Sequence, residues 1–281
     1  MSKVGETLNE LVARLRQAGI DNPRLDSRLL LAAAMGVDKI WLFSHPEAEI
    51  GEPAGARLAE LAARRCRREP MSQILGRREF WSLDFLVTGD TLTPRPDSET
   101  VIEAVLEQIA DRQAPLSLLD LGTGSGCLLL ALLSELPKAQ GLGIDRSPAA
   151  LAVAAENAKR MGLADRSRFL CSDWCAAVTG GFDVILCNPP YIASGEIEGL
   201  EPEVARFEPK DALDGGKDGL DDYRRLAPQI AAHLNPAGIA AFEIGAGQAP
   251  EVAALLAEQG LALRSVRRDL GGIERCVVVA R

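Results

Sequence analysis

Apolar residues recur along this chain in two rhythms, and the change from one to the other divides it. In the first part the spacing is helical. Leu8, Leu11, Val12 and Leu15 share one face of a helix that Gly19 stops, and Leu25, Leu29, Leu30 and Ala33 repeat the pattern up to Gly36. A third helix is expected from about Ala56 to Arg68, with Leu58 and Leu61 inward and Pro70 closing it. From residue 76 to 96 the pattern breaks. Phe80-Trp81-Ser82-Leu83-Asp84-Phe85-Leu86-Val87 has strand character and Gly89-Asp90 is a turn signal, so the stretch reads as a β-hairpin.

From Asp97 onward, short apolar runs alternate with helical periods. Strands are expected at Leu116–Leu121, Gln140–Ile144, Arg168–Cys171, Phe182–Cys187, Ile239–Ile244, Leu263–Arg267 and Cys276–Ala280. Helices are expected near Ser98–Asp111, Gly126–Leu136, Pro148–Met161, Asp221–His233 and Ala249–Gln259. This alternation predicts an α/β fold, Rossmann-like, with a mostly parallel seven-stranded sheet covered by helices on both faces. The last two strands are joined by Asp269–Arg275 alone, too short for a parallel crossover, so the final strand is expected to run antiparallel. The expected organisation is a helical domain over 1–75, a hairpin linker over 76–96 and an α/β domain over 97–281.

Composition narrows the classes of function. The chain has 281 residues, 47 % of them apolar and 25 % charged, with a formal charge of −9. A net acidic chain lacks the footprint for broad, sequence-independent binding of nucleic acid. The six cysteines, at 66, 127, 171, 175, 187 and 276, form no C-x-x-C pair, and the only histidines are His45 and His233. That argues against a zinc site and for thiols in a reducing compartment. The N-terminus has no secretory pattern, and no apolar run approaches the roughly 20 residues that span a bilayer. A soluble, cytoplasmic protein without metal is expected.

Candidate chemistry lies at the ends of three expected strands. Leu118-Leu119-Asp120-Leu121-Gly122-Thr123-Gly124-Ser125-Gly126 is a buried strand entering a glycine-rich loop and then a helix. Such a loop brings backbone close to a ligand and offers free N–H groups. Its spacing is G-x-G-x-G, not the dinucleotide G-x-G-x-x-G. The loop alone leaves S-adenosylmethionine and a nucleotide both open. Asp145 closes the next strand, where an acid takes two ribose hydroxyls; otherwise it caps the helix near Pro148. Asp173 can accept from an adenine amino group and Trp174 can stack on the ring, against the alternative of a solvated acid and a core indole. After the strand Phe182–Cys187 come Asn188-Pro189-Pro190-Tyr191. The prolines stiffen the loop. Asn188 Oδ1 and the Pro189 carbonyl can accept both hydrogens of a planar amine while Tyr191 packs on its face. A plain turn is the competing reading.

Two further segments are ambiguous. The glycine-rich stretch Glu208–Leu220 either borders substrate or is a mobile surface loop. Arg64-Arg65-Cys66-Arg67-Arg68 reads as a solvated helix end, with docking of an acidic partner as the alternative.

The glycine loop, Asp145 and Asn-Pro-Pro-Tyr, in that order, resemble class I S-adenosylmethionine-dependent methyltransferases that modify amino nitrogens. Further blocks match more closely: Gln73-x-x-x-Gly76, Glu79-Phe80, Leu83-x-Phe85, Pro94-Arg95-Pro96-Asp97-x-Glu99, and Glu208-Pro209-x-x-Ala212-Leu213-x-Gly215-Gly216-x-Asp218-Gly219-Leu220. Together they resemble the release factor glutamine methyltransferases, over essentially the whole chain. The resemblance departs at Ile74, where the family often has Tyr, and at Ser98, where it often has Thr. It implies methylation of the glutamine N5 in the Gly-Gly-Gln motif of peptide chain release factors, with S-adenosyl-L-methionine as donor and S-adenosyl-L-homocysteine as product. It implies donor contacts at Gly122, Thr123, Gly124, Ser125, Gly126, Asp145, Trp174 and Asn188, and substrate contacts at Asn188, Pro189, Pro190 and Tyr191. The helical domain is then expected to dock the release factor, and the chain to act as a monomer without stably bound nucleic acid. A DNA amino-methyltransferase and a nucleotide-binding regulatory module are the competing functions.

Overall fold

The structure, a computed structural model, describes residues 2–281. In chain order the helices α1 (Val4–Gln17), α2 (Pro23–Met35), α3 (Lys39–Ser44), α4 (Glu52–Cys66) and α5 (Met71–Leu75) come first. The strands β1 (Arg77–Phe80) and β2 (Leu83–Leu86) follow, then α6 (Glu99–Gln108), β3 (Ser117–Leu121), α7 (Cys127–Glu135), β4 (Gln140–Asp145), α8 (Pro148–Arg160), β5 (Ser167–Cys171) and β6 (Phe182–Cys187). The last elements are α9 (Pro202–Phe207), α10 (Asp221–His233), β7 (Leu234–Glu243), α11 (Ala249–Ala257), β8 (Ala262–Arg268) and β9 (Glu274–Ala280). They form two units. One comprises the chain up to Gly76 together with Glu201–Phe207, and the other comprises Arg77–Leu200 and Glu208–Arg281.

The first unit is a helix bundle. Leu11 and Leu15 of α1, Leu30 and Leu31 of α2, and Leu58 and Leu61 of α4 fill its core. Burying each such side chain is worth about 1.5–3 kcal/mol. The short helices α3 and α5 escape a periodicity argument because neither completes two turns; α3 is set locally, by Asp38 accepting from the Trp41 N–H at 2.7 Å. Three of the four arginines at the basic end of α4 are paired inside this unit, while Arg67 is exposed. Arg64 pairs with Glu69, Arg65 lies between Asp26 (2.7 Å) and Glu203 (2.8 Å), and Arg68 also holds Glu203 (2.7 Å). Gln73 Nε2 donates to the Phe207 carbonyl at 3.1 Å. Helix α9, distant in sequence, is thereby part of the bundle.

The second unit opens with the hairpin. Its turn is not at Gly89-Asp90. It falls at Trp81-Ser82, inside the run expected to be one strand, and both residues have positive φ (53° and 57°). Two-residue hairpins favour that conformation. Here tertiary partners hold non-glycine residues in it: the Trp81 N–H donates to Glu99 (2.8 Å) and the indole N–H to Glu135 (2.9 Å). Asn157 on α8 exchanges both its amide groups with the Leu86 backbone, at 2.7 and 3.1 Å, so the hairpin is packed as part of this unit.

The main sheet has seven strands in the order β5-β4-β3-β6-β7-β9-β8. β9 is antiparallel to both neighbours and the rest are parallel, as the short last connection requires. Leu118, Leu119 and Leu121 are all fully buried, which explains why apolar residues do not alternate with polar ones along this strand: helices cover both faces. Val101, Leu129 and Leu132 lie in the core on one face, and Leu226, Ile230 and Val252 in the core on the other. β3 pairs with β4 on one side and β6 on the other, so strand order reverses between β3 and β6. Ligands of open α/β sheets bind outside the strand ends at such a switch point.

Candidate active site

A cavity of about 760 Å³ opens at that place, within the size range of small-molecule sites. Gly122, Thr123, Gly124 and Ser125 line one wall, with Asp145, Asp173 and Trp174; Asn188 and Pro190 line another. Three residues expected at the site do not line it: Gly126, Pro189 and Tyr191.

The glycine loop is fastened to the neighbouring strand. The N–H groups of Gly122 and Thr123 both donate to the Ile144 carbonyl, at 2.9 and 2.8 Å. Gly122 has φ 74°, and a Cβ there would come within 3.2 Å of the Trp174 ring. Glycine is therefore needed both for the turn and for the indole to close over it. Gly126 sits at the start of α7, packed toward Leu130 and Ala154. Asp145 accepts from Gly124 N at 2.9 Å and from Ser147 N at 2.9 Å. Each carboxylate oxygen keeps a second lone pair for a ligand hydroxyl. Capping of α8 falls to Ser147, whose hydroxyl accepts from Ala150 N at 3.2 Å. Asp173 is exposed and paired with Arg225 at 2.8 Å. Trp174 has φ 49°, an uncommon conformation for a bulky residue.

Asp120 also lines the cavity, and sequence reasoning passed over it. Its one signal was a lone charge in an apolar strand. It is buried, accepts from Thr123 Oγ1 at 2.6 Å, and leaves Oδ1 without a partner among the described residues. Burial pushes its pKa up to about 7; the Thr123 hydroxyl opposes the shift, and the Asp145 charge adds to it.

On the other wall the Asn-Pro-Pro-Tyr loop is braced from a distance. Ile192 N donates to Leu213 O (3.0 Å) and Gly215 N to Ile192 O (2.9 Å). Backbone packing is close enough that a Cβ at Gly215 would lie 2.6 Å from Pro190 O, and one at Gly219 would lie 2.3 Å from Tyr191 O. Glu208–Leu220 is thus an ordered support. Its first half, at Pro209, Asp211 and Ala212, also lines the cavity. Glu208 is buried and accepts from Thr93 N at 3.1 Å and Arg95 at 3.4 Å. Two blocks far apart in sequence, Pro94-Arg95-Pro96 and Glu208-Pro209, therefore meet. The Tyr191 ring turns from the cavity, and its hydroxyl faces Glu243 Oε1 at 3.4 Å.

Comparison with known proteins places the chain in a family. The chain matches the PrmC N-terminal domain over residues 6–76 and the Methyltransferase small domain over residues 98–201. It is 49 % identical over 281 residues to a release factor glutamine methyltransferase from Rhodospirillum rubrum, covering 99 % of this chain and 85 % of that one. It is 48 % identical over 276 residues to another from Cereibacter sphaeroides, covering 98 % and 97 %. The chain belongs to the release factor glutamine methyltransferase family.

The α/β unit of this family member has the methyltransferase fold. The T. thermophilus 16S rRNA N2 G1207 methyltransferase, solved with AdoMet and guanosine, superposes with a TM-score of 0.51 at 20 % identity, over 73 % of this chain and 49 % of that one. Among the described residues, no helix is long and apolar enough to cross a membrane. The methyltransferase cavity is predominantly acidic, and two of its three arginines are engaged by its own aspartates: Arg146 by Asp211 (2.6 Å) and Arg225 by Asp173.

Proposed function

We infer that this enzyme transfers a methyl group from S-adenosyl-L-methionine to the side-chain N5 of the glutamine in the Gly-Gly-Gln motif of peptide chain release factors, leaving S-adenosyl-L-homocysteine. The observation that carries this reading is a single cavity lined by both the glycine loop and Asn188, in a chain 49 % identical to a release factor glutamine methyltransferase over 99 % of its own length. The donor set fits the cofactor. Asp145 suits ribose hydroxyls, Trp174 and Asp173 suit an adenine, and an acidic wall suits a cationic ligand. When bound, the cofactor supplies a methyl group already activated on a sulfonium.

The protein's own residues position the acceptor. An amide nitrogen is a poor nucleophile because its lone pair is delocalised into the carbonyl. Asn188 Oδ1, on the cavity wall, accepts one of its two hydrogens, and the backbone carbonyl of Pro189, which lies between the two wall residues Asn188 and Pro190 in the chain, accepts the other as the acceptor enters; this favours a pyramidal nitrogen with the lone pair aimed into the cavity. The same acceptors stabilise positive charge as it develops on nitrogen, and after the transfer the nitrogen releases one of its two protons to solvent, restoring a neutral amide. Pro190 forms part of the wall, and Tyr191 supports the loop from behind. The helical unit docks the release factor, and the chain acts as a monomer in the cytoplasm without stably bound nucleic acid. A labelled-methyl assay tests the reading: purified protein with a release factor, with DNA, and with neither. Label in the release factor, at the Gly-Gly-Gln glutamine, is expected. Label in DNA alone would overturn it.

A further inference from the structure

The segment Glu243-Ile244-Gly245-Ala246-Gly247-Gln248 lies behind the amine loop, outside the cavity lining. Glu243 ends β7, whose Phe242 pairs with Cys187 at the end of β6, so it stands one strand over from Asn188. Its side chain is buried, although its chemistry suits burial poorly. Oε1 faces the Tyr191 hydroxyl at 3.4 Å, while Oε2 has no partner among the described residues. Burial, the largest influence, pushes its pKa up to about 7, and a hydrogen bond from the Ser98 hydroxyl and the charge of Arg275 oppose that shift. A carboxylate so placed is costly, and an apolar residue of similar size is often no less stable at such a position. Packing alone does not account for it.

The other end of Tyr191 is held by the same segment. Gln248 Oε1 accepts from Gly245 N at 2.9 Å, which orients the amide so that Nε2 donates to the Tyr191 carbonyl at 3.0 Å. Gly245 leaves room for the ring: a Cβ there would lie 3.2 Å from Tyr191 Cδ2. Tyr223 in turn fixes the backbone of the segment, its hydroxyl donating to Glu243 O at 2.7 Å.

We propose that Glu243 and Gln248 are positioning residues for methyl transfer, gripping Tyr191 by its hydroxyl and its carbonyl so that Asn188 and the Pro189 carbonyl are held in register with the acceptor nitrogen. This rests on the reading of Asn188-Pro189-Pro190-Tyr191 as the amine site. The expected signature is a loss of kcat without loss of donor affinity, because nothing in the grip touches the glycine loop.

The test uses the full chain with a release factor, steady-state kinetics, dialysis of labelled S-adenosylmethionine, and melting curves. Glu243→Ala and Tyr191→Phe should each lower kcat about 10- to 100-fold, the scale of a small misplacement. The double variant should be no slower than the worse single one, since both remove one contact. Glu243→Gln keeps an acceptor and should recover most of the loss. Gln248→Glu removes the donor and should lose kcat like Gln248→Ala. Donor affinity should stay within about twofold in all of them. Near-normal kcat in Tyr191→Phe, multiplying losses in the double variant, or donor affinity falling in step with kcat would each overturn the proposal. If Glu243→Ala does not fold, Tyr191→Phe and Glu243→Gln still decide it. Wild-type failure on release factors would instead sink the assigned function, a separate result.

Discussion

The glycine loop and the Asn-Pro-Pro-Tyr loop leave adjacent strands and face one cavity, but they are held in different ways. The glycine loop is shaped mostly by near neighbours. Gly126 N bonds Thr123 O, Thr123 bonds Asp120, and one adjacent strand supplies Ile144 and Asp145. The amine loop is rigid at its prolines, yet its position comes from residues far along the chain: Leu213, Gly215, Gly219, Glu243 and Gln248. On the proposed reading the glycine loop binds a cofactor by its backbone, and such a loop can be specified by its own turn chemistry. On the same proposed reading the Asn-Pro-Pro-Tyr loop aims two acceptors at one nitrogen, and such a loop needs outside support, because a shift of about 1 Å can cost on the order of 100-fold in rate.

Substitutions on the two sides should therefore separate donor affinity from turnover. The largest effect is expected at Asn188 itself. Asn188→Ala should cut kcat by at least about 100- to 1,000-fold, as for loss of one preorganised charge-stabilising group, with the melting temperature preserved. Near-normal turnover in the folded variant would remove Asn188 from the mechanism. Next comes the brace. Gly219→Ala forces a Cβ onto the Tyr191 carbonyl at a positive φ, and should lower kcat about 10- to 100-fold while labelled donor binds normally. If donor affinity falls instead, the two loops are not independent. Asp145→Ala is the mirror case. Losing hydrogen bonds to a charged group costs about 1.5–3 kcal/mol, so donor KM should rise about 10- to 100-fold with kcat at saturation little changed.

The remaining effect is on stability and is read from pH. Asp120 titrates near 3.8 unfolded and near 7 in the fold, raised by burial. A carboxyl with a raised folded pKa binds more protons in the native state. Stability is therefore lost as pH rises from about 4 to about 7, and is level above that. Asp120→Asn should abolish this fall, so its melting temperature should exceed that of wild type by more at pH 8 than at pH 5. An equal gap at both values would mean that Asp120 is not buried as the fold shows it.

Much of this was legible in the residues. Apolar runs located β3, β4 and β6 to within about one residue, because strands buried on both faces carry few polar residues, here chiefly Asp120 in β3 and Asp183 in β6. The glycine loop and Asp145 were legible because turn chemistry is local. The turn at Trp81-Ser82 was not, since nothing in a tryptophan signals positive φ; Glu99 and Glu135, far along the chain, impose it. Glu208–Leu220 stayed ambiguous for a similar reason. Glycines in a mobile loop and glycines packed beneath carbonyls look alike until the packing is seen. The basic end of α4 reads as a solvated helix end, which holds for the exposed Arg67, whereas Arg65 and Arg68 are held internally by Glu203, on an element too short to announce itself.

That partner has a consequence for the order in which the molecule is made. Arg65 emerges from the ribosome with Asp26 already present, but Glu203 is 138 residues further on. At ordinary synthesis rates the delay is on the order of 10 s. Through that interval the nascent bundle carries Arg65 and Arg68 without the carboxylate that joins them. The N-terminal bundle is therefore first to be translated yet cannot be first to be finished, and its completion waits until β3 to β6 have all been made.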